Sequence, residues 1–280
     1  TIVLPDSLEL ISGASAFSDI TALTTIELPE GLKFGEEEGY YFSDCTSLES
    51  IVLPASVTFI PDGMFSGCTS LTTVVAEGTI TEIGENAFME AESLTTLPDL
   101  SNVTVIGSQA FRECSSLPGI ELGSVTELGS YAFYKCNSLS GELDLSGLTE
   151  IPEGAFSGVG SVTVTLGDSL TSIGMDAFSY SGLAGKVTIP DSVTEIGENA
   201  FKNTEVTEFY IGSGVKELPS GSLASVALEK VTVNNSKDGI IGIENALPYY
   251  FDAEDVVYLH VSIGDDEGDT ISPNSEMTLQ

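Results

Sequence analysis

The sequence of 280 residues contains no tryptophan, one histidine and only eight lysine and arginine residues. Against those eight stand 43 aspartate and glutamate residues, so the formal net charge at pH 7 is −35. Nucleic acids and anionic membranes bind through cationic side chains that displace their counterions. The scarcity of basic residues therefore argues against a nucleic-acid partner, and most of the carboxylates are expected to form a solvated surface.

Long apolar runs are also missing. No stretch approaches the roughly 18 consecutive apolar residues that a membrane-spanning helix needs, so membrane insertion is not expected. The chain does not open with the cationic segment and apolar stretch of a secretory signal. It opens with TIVLPDSLELI at 1–11, which matches SIVLPASVTFI at 50–60. We therefore expect the chain to begin inside a repeat and to have been trimmed before Thr1.

A recurring Ala-Phe pair, or a close variant of it, divides the chain into units. The aromatic landmarks are Phe17, Phe42, Phe65, Phe88, Phe111, Phe133, Phe156, Phe178 and Phe201, and Leu223 and Leu247 follow them. Successive landmarks are 22 to 25 residues apart. Such a regular step across eleven units indicates an array of stacked structural repeats.

Each unit has the same internal order, as in CTSLESIVLPASVTFIPDGMFSGC at 45–68. Ile51 and Leu53 alternate with polar or exposed positions, and Pro54 follows them, which predicts a short strand that ends in a turn. No segment has a helical apolar pattern long enough for an independent helix. Since one unit cannot bury its own apolar face, the units must stack.

The predicted fold is therefore a β-rich solenoid of about eleven repeats of 22–25 residues. We expect short parallel strands on one curved face, with turns and short irregular or 3-10 segments elsewhere. The solenoid is predicted to span residues 1–262 as one domain. Residues 263–280 are predicted to form an acidic and polar C-terminal segment.

One phrase occurs almost unchanged twice, as ITEIGENAF at 80–88 and VTEIGENAF at 193–201. Repetition along an array is typical of packing positions rather than of a reaction site. The landmark side chains predicted to fill the structural core are Phe65, Phe88, Phe111, Phe133, Phe156, Phe178 and Phe201. A glycine shares one position in five units, at Gly84, Gly107, Gly129, Gly174 and Gly197. We expect that position to need either a positive φ or a close approach of two backbones.

The combination L-x-x-I-x-L-P followed by V-x-x-I-G-x-x-A-F-x-x-C resembles the BspA-like leucine-rich repeats, over about residues 1–262. This resemblance implies a bacterial surface or secreted protein that contributes to adhesion and binds a protein or glycan partner. It implies no enzymatic activity and no cofactor, and an extracellular or cell-surface location. The unit at 94–106 departs from the pattern, because Asp99 occupies the position that Leu53 has in another unit.

The four cysteines each lie three residues after a landmark phenylalanine, at Cys45, Cys68, Cys114 and Cys136. Other units have Ala91, Val159, Ser181 or Thr204 at that position, which favours a small buried side chain. The alternative is a disulfide between neighbouring turns, 45 with 68 and 114 with 136. Cysteine side chains stacked in neighbouring turns would point in the same direction, so a disulfide between them would be strained away from its preferred Cβ–S–S–Cβ dihedral angle of about 90°. A zinc site is disfavoured because no C-x-x-C motif occurs.

A catalytic centre has few candidate residues. His260 is the only histidine, and its alternation with Leu259 and Val261 predicts that it lies exposed on the last strand. Parallel β-solenoids that cleave polysaccharides are the rival class, but their sites combine acids with basic residues. Arg112 is the only arginine here. We therefore expect no catalytic residues.

The acidic run GDDEGDT holds Asp265, Asp266, Glu267 and Asp269. Carboxylate oxygens could attract Ca²⁺ there, but the spacing differs from that of an EF-hand loop. A solvated tail is the better interpretation, so no metal site is predicted.

Outward residues of the strands form the predicted binding surface. In the N-terminal half these positions are mostly threonine and valine, which gives little indication of a ligand. Toward the C-terminal end the predicted register brings together Tyr210, Lys230, Tyr258 and His260. Aromatic and basic side chains of this kind dominate many interfaces. The sequence thus predicts a recognition or adhesion module, and a passive spacer in a larger surface protein is the alternative.

Overall fold

The computed structural model describes residues 1–35, 39–236 and 239–259. It is a parallel-strand β-solenoid of about eleven turns, so the predicted fold class is confirmed. The segment 263–280, predicted to be an acidic tail, lies outside the described residues. Strands occupy two sides of each regular turn, and the landmark phenylalanine lies at a corner between successive turns.

The first row of strands, here called the front face, corresponds to the predicted L-x-x-I-x-L strands. It consists of β1 (Ile2–Val3), β3 (Ile26–Glu27), β5 (Ser50–Leu53), β7 (Thr73–Ala76), β11 (Gly141–Leu145), β13 (Val162–Leu166), β15 (Ala184–Ile189), β17 (Glu205–Ile211), β18 (Lys230–Val233) and β19 (Val257–Tyr258). Most neighbouring strands pair in parallel, for example Ile51 with Val74 and Phe209 with Val231. The front face is thus a stack of parallel rungs.

The front face is interrupted between β7 and β11, where two turns carry Pro98 and Pro118 instead of a regular strand. Proline has no backbone N–H to donate to a neighbouring strand. Asp99, the departure noted in the sequence, accepts a hydrogen bond from the Ser101 backbone N–H at 2.9 Å. Leu100 is buried one position later, so the apolar position of the strand has moved along the chain.

A second row, here called the side face, was not predicted as strand. Its members are two residues long: β2 (Leu10–Ile11), β4 (Lys33–Phe34), β6 (Phe59–Ile60), β8 (Glu82–Ile83), β9 (Val105–Ile106), β10 (Glu127–Leu128), β12 (Glu150–Ile151), β14 (Ser172–Ile173) and β16 (Glu195–Ile196). They are the V-x-x-I elements of the repeat. Their parallel pairing converts what the sequence indicates as turns into a second ladder.

The landmark phenylalanines form one continuous column through the core. The seven predicted core residues, from Phe65 to Phe201, are all fully buried. Consecutive rings from Phe17 to Phe201 stack with centroids 5.1 to 5.8 Å apart and interplanar angles of 5° to 20°. The column ends at an edge-on contact between Phe201 and Phe209, because the next landmark is Leu223.

The shared glycines lie where two turns touch. A Cβ atom added to Gly129 would be 2.2 Å from the backbone nitrogen of Ser108, and one added to Gly197 would be 2.3 Å from that of Met175. Neither glycine has a positive φ. Of the two explanations that the sequence left open, the close approach of backbones is therefore the correct one.

Positive φ angles occur instead at the phenylalanine corner, mostly at non-glycine residues. At most corners the positions two before and two after the landmark have this conformation, as in Asn86 (φ 54°) and Glu90 (φ 60°) around Phe88. Left-handed backbone costs a non-glycine residue about 1–2 kcal/mol. Each corner offsets this cost with hydrogen bonds to the next turn, such as the Glu90 N–H to the Arg112 carbonyl at 2.8 Å.

The array becomes irregular after β18. A short helix, α1 (Ile243–Ala246), and a 3-10 helix (Ala253–Asp255) precede β19. Among the described helices none is both long and apolar enough to cross a membrane.

Candidate functional site

The C-terminal strands of the front face position the sequence-predicted binding residues. In β15, β17 and β18 the apolar side chains point inward and are buried, at Val187, Ile189, Phe209, Ile211, Val231 and Val233. Side chains alternate between the two faces of a strand, so the residues between them point outward. The outward set, here called the front patch, is Lys186, Thr188, Glu208, Tyr210, Lys230 and Thr232.

The front patch has two columns. Tyr210 lies between Thr188 and Thr232 on the neighbouring strands. In the second column Glu208 lies between Lys186 and Lys230. This places a tyrosine beside alternating positive and negative charges, an arrangement that can offer both an apolar ring and charged hydrogen-bonding groups to a partner.

None of the three charged groups in the front patch forms an ion pair with a described residue. Lys186 and Lys230 are exposed to solvent, and Glu208 is partly exposed. Opposite charges on neighbouring strands stabilise a sheet only slightly when they are solvated. The charged ends of these side chains therefore remain free to contact a ligand.

Tyr210 is the aromatic centre of the front patch. Partial burial raises the pKa of its phenol, and the nearby charge of Asp191 raises it further. The hydroxyl is thus protonated at neutral pH and can donate a hydrogen bond. Asp191 accepts hydrogen bonds from the Ser213 N–H at 2.6 Å and from the Asn234 side-chain amide at 3.1 Å.

The predicted register is wrong at Tyr258. That residue pairs with inward-pointing Val233, not with Lys230, and its ring packs partly buried against the core. Burial raises the pKa of the Tyr258 phenol, followed in importance by the charge of Glu244. The irregular segment before β19 changes the step between strands and so reverses which residues face outward. His260, predicted in the same site, lies outside the described residues.

A cluster at the phenylalanine corner was missed by the sequence analysis. The guanidinium of Arg112 lies 5.7 Å from the ring centre of Tyr134, and the Lys135 ammonium lies 5.1 Å from it. Glu113 forms ion pairs with both cations, at 3.5 and 3.3 Å. Arg112 and Tyr134 each follow a landmark phenylalanine directly, so comparison by repeat position could have predicted that they are neighbours.

The cysteines are poor candidates for catalysis. All four are buried and form no disulfide. Each thiol donates to the carbonyl of a phenylalanine in the preceding turn, as Cys136 does to Phe111 at 3.0 Å. Burial raises the pKa of Cys136 to about 12 and raises that of Cys114 well above its usual value. Since the thiolate is the reactive form, these side chains are structural.

In residues 1–35, 39–236 and 239–259 no group of three or more histidine, cysteine or acidic side chains is arranged to hold a metal ion. The acidic run from Asp265 to Asp269, whose carboxylates could attract Ca²⁺, lies outside these ranges. The front patch therefore remains the candidate site that the sequence and the described geometry share.

Comparison with protein families gives a match over most of the chain. The model of the BspA type leucine-rich repeat region matches six copies, over residues 1–118, 38–145 and 126–242. No curated protein matches this chain in sequence.

Some of the similar solved structures are those of leucine-rich proteins. A leucine-rich cell surface protein from Faecalibacterium prausnitzii A2-165 is 21% identical with a TM-score of 0.50, over 90% of this chain and 88% of that one. The pneumococcal vaccine antigen PcpA is 21% identical with a TM-score of 0.52, over 91% and 72%. A leucine-rich repeat protein from Bacteroides ovatus ATCC 8483 is 23% identical with a TM-score of 0.47, over 74% and 69%. At these identities the first two likenesses show a shared fold and nothing more.

Proposed function

Because this chain belongs to the BspA-type leucine-rich repeat family, we propose that it is a non-enzymatic recognition module of a bacterial cell surface. In this proposal it binds a protein or glycan partner through the front face and contributes to adhesion. Leucine-rich repeat proteins typically bind proteins, which favours a protein partner over a glycan.

The observation that carries the proposal is the front patch. It combines a partly exposed tyrosine with two exposed lysines on a sheet whose inward side chains are fully packed. A rigid platform loses little conformational entropy when a partner binds, so its contacts contribute efficiently to affinity. Tyrosine is also among the residues that most often dominate binding energy.

The test compares the wild-type chain with a Tyr210→Ala/Lys230→Ala variant on an array of extracellular-matrix proteins and glycans. Tyr180→Ala is the matched control, since Tyr180 is 63% exposed but lies at the phenylalanine corner. We expect saturable binding to one array component, a loss of at least about tenfold in the double variant, and no change in the control.

Two results would contradict the proposal. Equal binding by the double variant would remove the front patch from recognition. The absence of saturable binding to any component would favour the alternative, in which the solenoid is a spacer that separates other domains from the surface.

A further inference from the structure

A hollow of about 280 Å³ lies on the front face at its N-terminal end, far along the array from the front patch. It spans three successive turns, with Glu27 and Glu30 on the first, Val52 and Pro54 on the second, and Glu77 on the third. All three glutamates are exposed to solvent. The hollow thus has carboxylates on both sides of an apolar middle turn.

Much of the floor of the hollow is apolar because of the strand pattern. Leu28 and Val52 line it together with the buried Ile26, Ile51 and Pro54, and the hydroxyl residues Thr25 and Ser50 complete the lining. Val52 is 50% exposed although it is flanked in the strand by buried residues. An exposed valine between two walls of carboxylates provides a surface for an aliphatic chain.

The carboxylates of Glu27, Glu30 and Glu77 have no cationic partner among the residues that the structure describes. No ion pair or side-chain hydrogen bond joins any of them to another described residue. Three negative charges around one small hollow repel each other, and a cation placed between them would relieve this repulsion. The site therefore favours a positively charged occupant.

A hydrated metal ion does not fit these features. Ca²⁺ takes six to eight oxygen ligands, whereas five of the ten residues that line the hollow have hydrocarbon side chains. These glutamates do not belong to any metal-ligating group in the described part of the chain. An organic cation with an aliphatic stem matches both the floor and the walls, because lysine and arginine bury their methylene chains while the charged end stays near water.

We propose that the hollow accepts a lysine or arginine side chain from an extended segment of a protein partner. The stem lies on Val52, and the charged group reaches the glutamates. Next to the hollow Val75 is paired with Val52 and is 43% exposed, and Val3 at the N-terminal edge is 70% exposed. These valines provide apolar surface for residues that flank the cation in the partner. The site is separate from the front patch and does not depend on Tyr210.

A peptide that carries one positive charge distinguishes binding at this site from the general attraction of cations to a protein of net charge −35. The probe is a capped nine-residue peptide, STVSKSVTS, titrated into the ¹⁵N-labelled chain and followed by NMR. A second peptide has norleucine in place of lysine, which keeps the stem and removes the charge. We expect saturable shifts confined to residues 25–30, 50–54 and 75–77, with binding at least about fivefold weaker for the norleucine peptide.

The variants decide whether the carboxylates act locally. Glu27→Gln/Glu77→Gln is expected to weaken lysine-peptide binding by about five- to tenfold. Glu121→Gln/Glu150→Gln removes the same net charge at exposed positions elsewhere and is expected to leave the affinity for the lysine peptide unchanged. Equal weakening by both pairs, equal affinity for the norleucine peptide, or shifts outside the hollow would each overturn the proposal. None of these results bears on the array experiment with Tyr210→Ala.

Discussion

At the scale of single residues, the glycines of the V-x-x-I-G element illustrate what a sequence can and cannot indicate. Their shared position in five units showed that a side chain was excluded. It did not show why, because a positive φ and a close backbone contact both select glycine. The structure distinguishes the two, since a Cβ atom on Gly129 would lie 2.2 Å from the Ser108 backbone nitrogen. The left-handed conformation of the corner residues could not be predicted, because Asn86, Glu90 and their equivalents in other turns differ in residue type.

The buried cysteines lead to a prediction about alkaline pH. Burial raises the pKa of Cys136 to about 12, while an unfolded thiol ionises near pH 8.5. The folded state then holds the proton more tightly than the unfolded state. The stabilisation is complete below pH 8.5 and is lost as the pH rises toward 12. At pH 9.5 each such thiol is expected to lower the free energy of unfolding by about 1.4 kcal/mol.

Urea unfolding at pH 7.5 and pH 9.5 measures this loss. The control is Cys114→Ala/Cys136→Ala, which places at both sites the residue that Ala91 provides naturally. We expect the variant to lose about 2–3 kcal/mol less than the wild type between the two pH values. Parallel losses in both proteins would show that the thiols do not cause the alkaline sensitivity.

At the scale of the structural element, the phenylalanine column is the part of the fold that the sequence predicted best. Its spacing in the sequence alone identifies the core, since one aromatic position recurs every 22 to 25 residues. The side-face strands were less accessible, because two residues are too few to show an alternating pattern. The register of β19 could not be predicted from the sequence for another reason. Only packing of the irregular segment around α1 determines which residue lies opposite Val233.

Substitutions in the phenylalanine column should distinguish the contribution of side-chain volume to stability from the contribution of ring stacking. Phe133 is fully buried between Phe111 and Phe156, at 5.2 and 5.4 Å. We expect Phe133→Ala to cost about 3–5 kcal/mol, because it leaves a cavity that the flanking rings cannot fill. Phe133→Leu should cost about 1–2 kcal/mol, since leucine occupies this position naturally at Leu223.

Denaturant unfolding gives both free energies, and hydrogen exchange shows where protection is lost. Since each turn contacts its neighbours, the loss should be largest in the turns that contain residues 111, 133 and 156. An unchanged unfolding midpoint for Phe133→Ala, or a uniform loss of protection along the chain, would contradict this picture.

At the scale of the whole molecule, electrostatic repulsion is the dominant unfavourable interaction that the composition imposes. The chain carries a net charge of −35, and the described residues contain two ion pairs, both at Glu113. Exposed Glu127 and Glu150 occupy the same position in adjacent turns. Stacking therefore brings like charges together, and dissolved salt should weaken their repulsion.

We predict that the chain is more stable at high ionic strength. Between 10 and 300 mM NaCl the thermal unfolding midpoint should rise by at least about 2 °C, which corresponds to roughly 1 kcal/mol for a chain of this size. Glu127→Gln/Glu150→Gln should be more stable than the wild type at 10 mM NaCl, and the difference should shrink at 300 mM. A midpoint that falls with added salt would show that attractive ion pairs outweigh the repulsion.

The uniformity of the turns has a consequence for how such a chain can change in length. TEIGENAF occurs at 81–88 and again at 194–201, and the 113 residues between equivalent positions make five whole turns. If genetic recombination between the two copies deleted the residues between them, the junction would retain the same eight residues. Phe201 would then stack on Phe65, where Phe88 stacks now at 5.4 Å. The solenoid would be shorter by about 24 Å, at about 4.8 Å per turn, with its packing intact. In this architecture the length of the solenoid can therefore change in whole-turn steps.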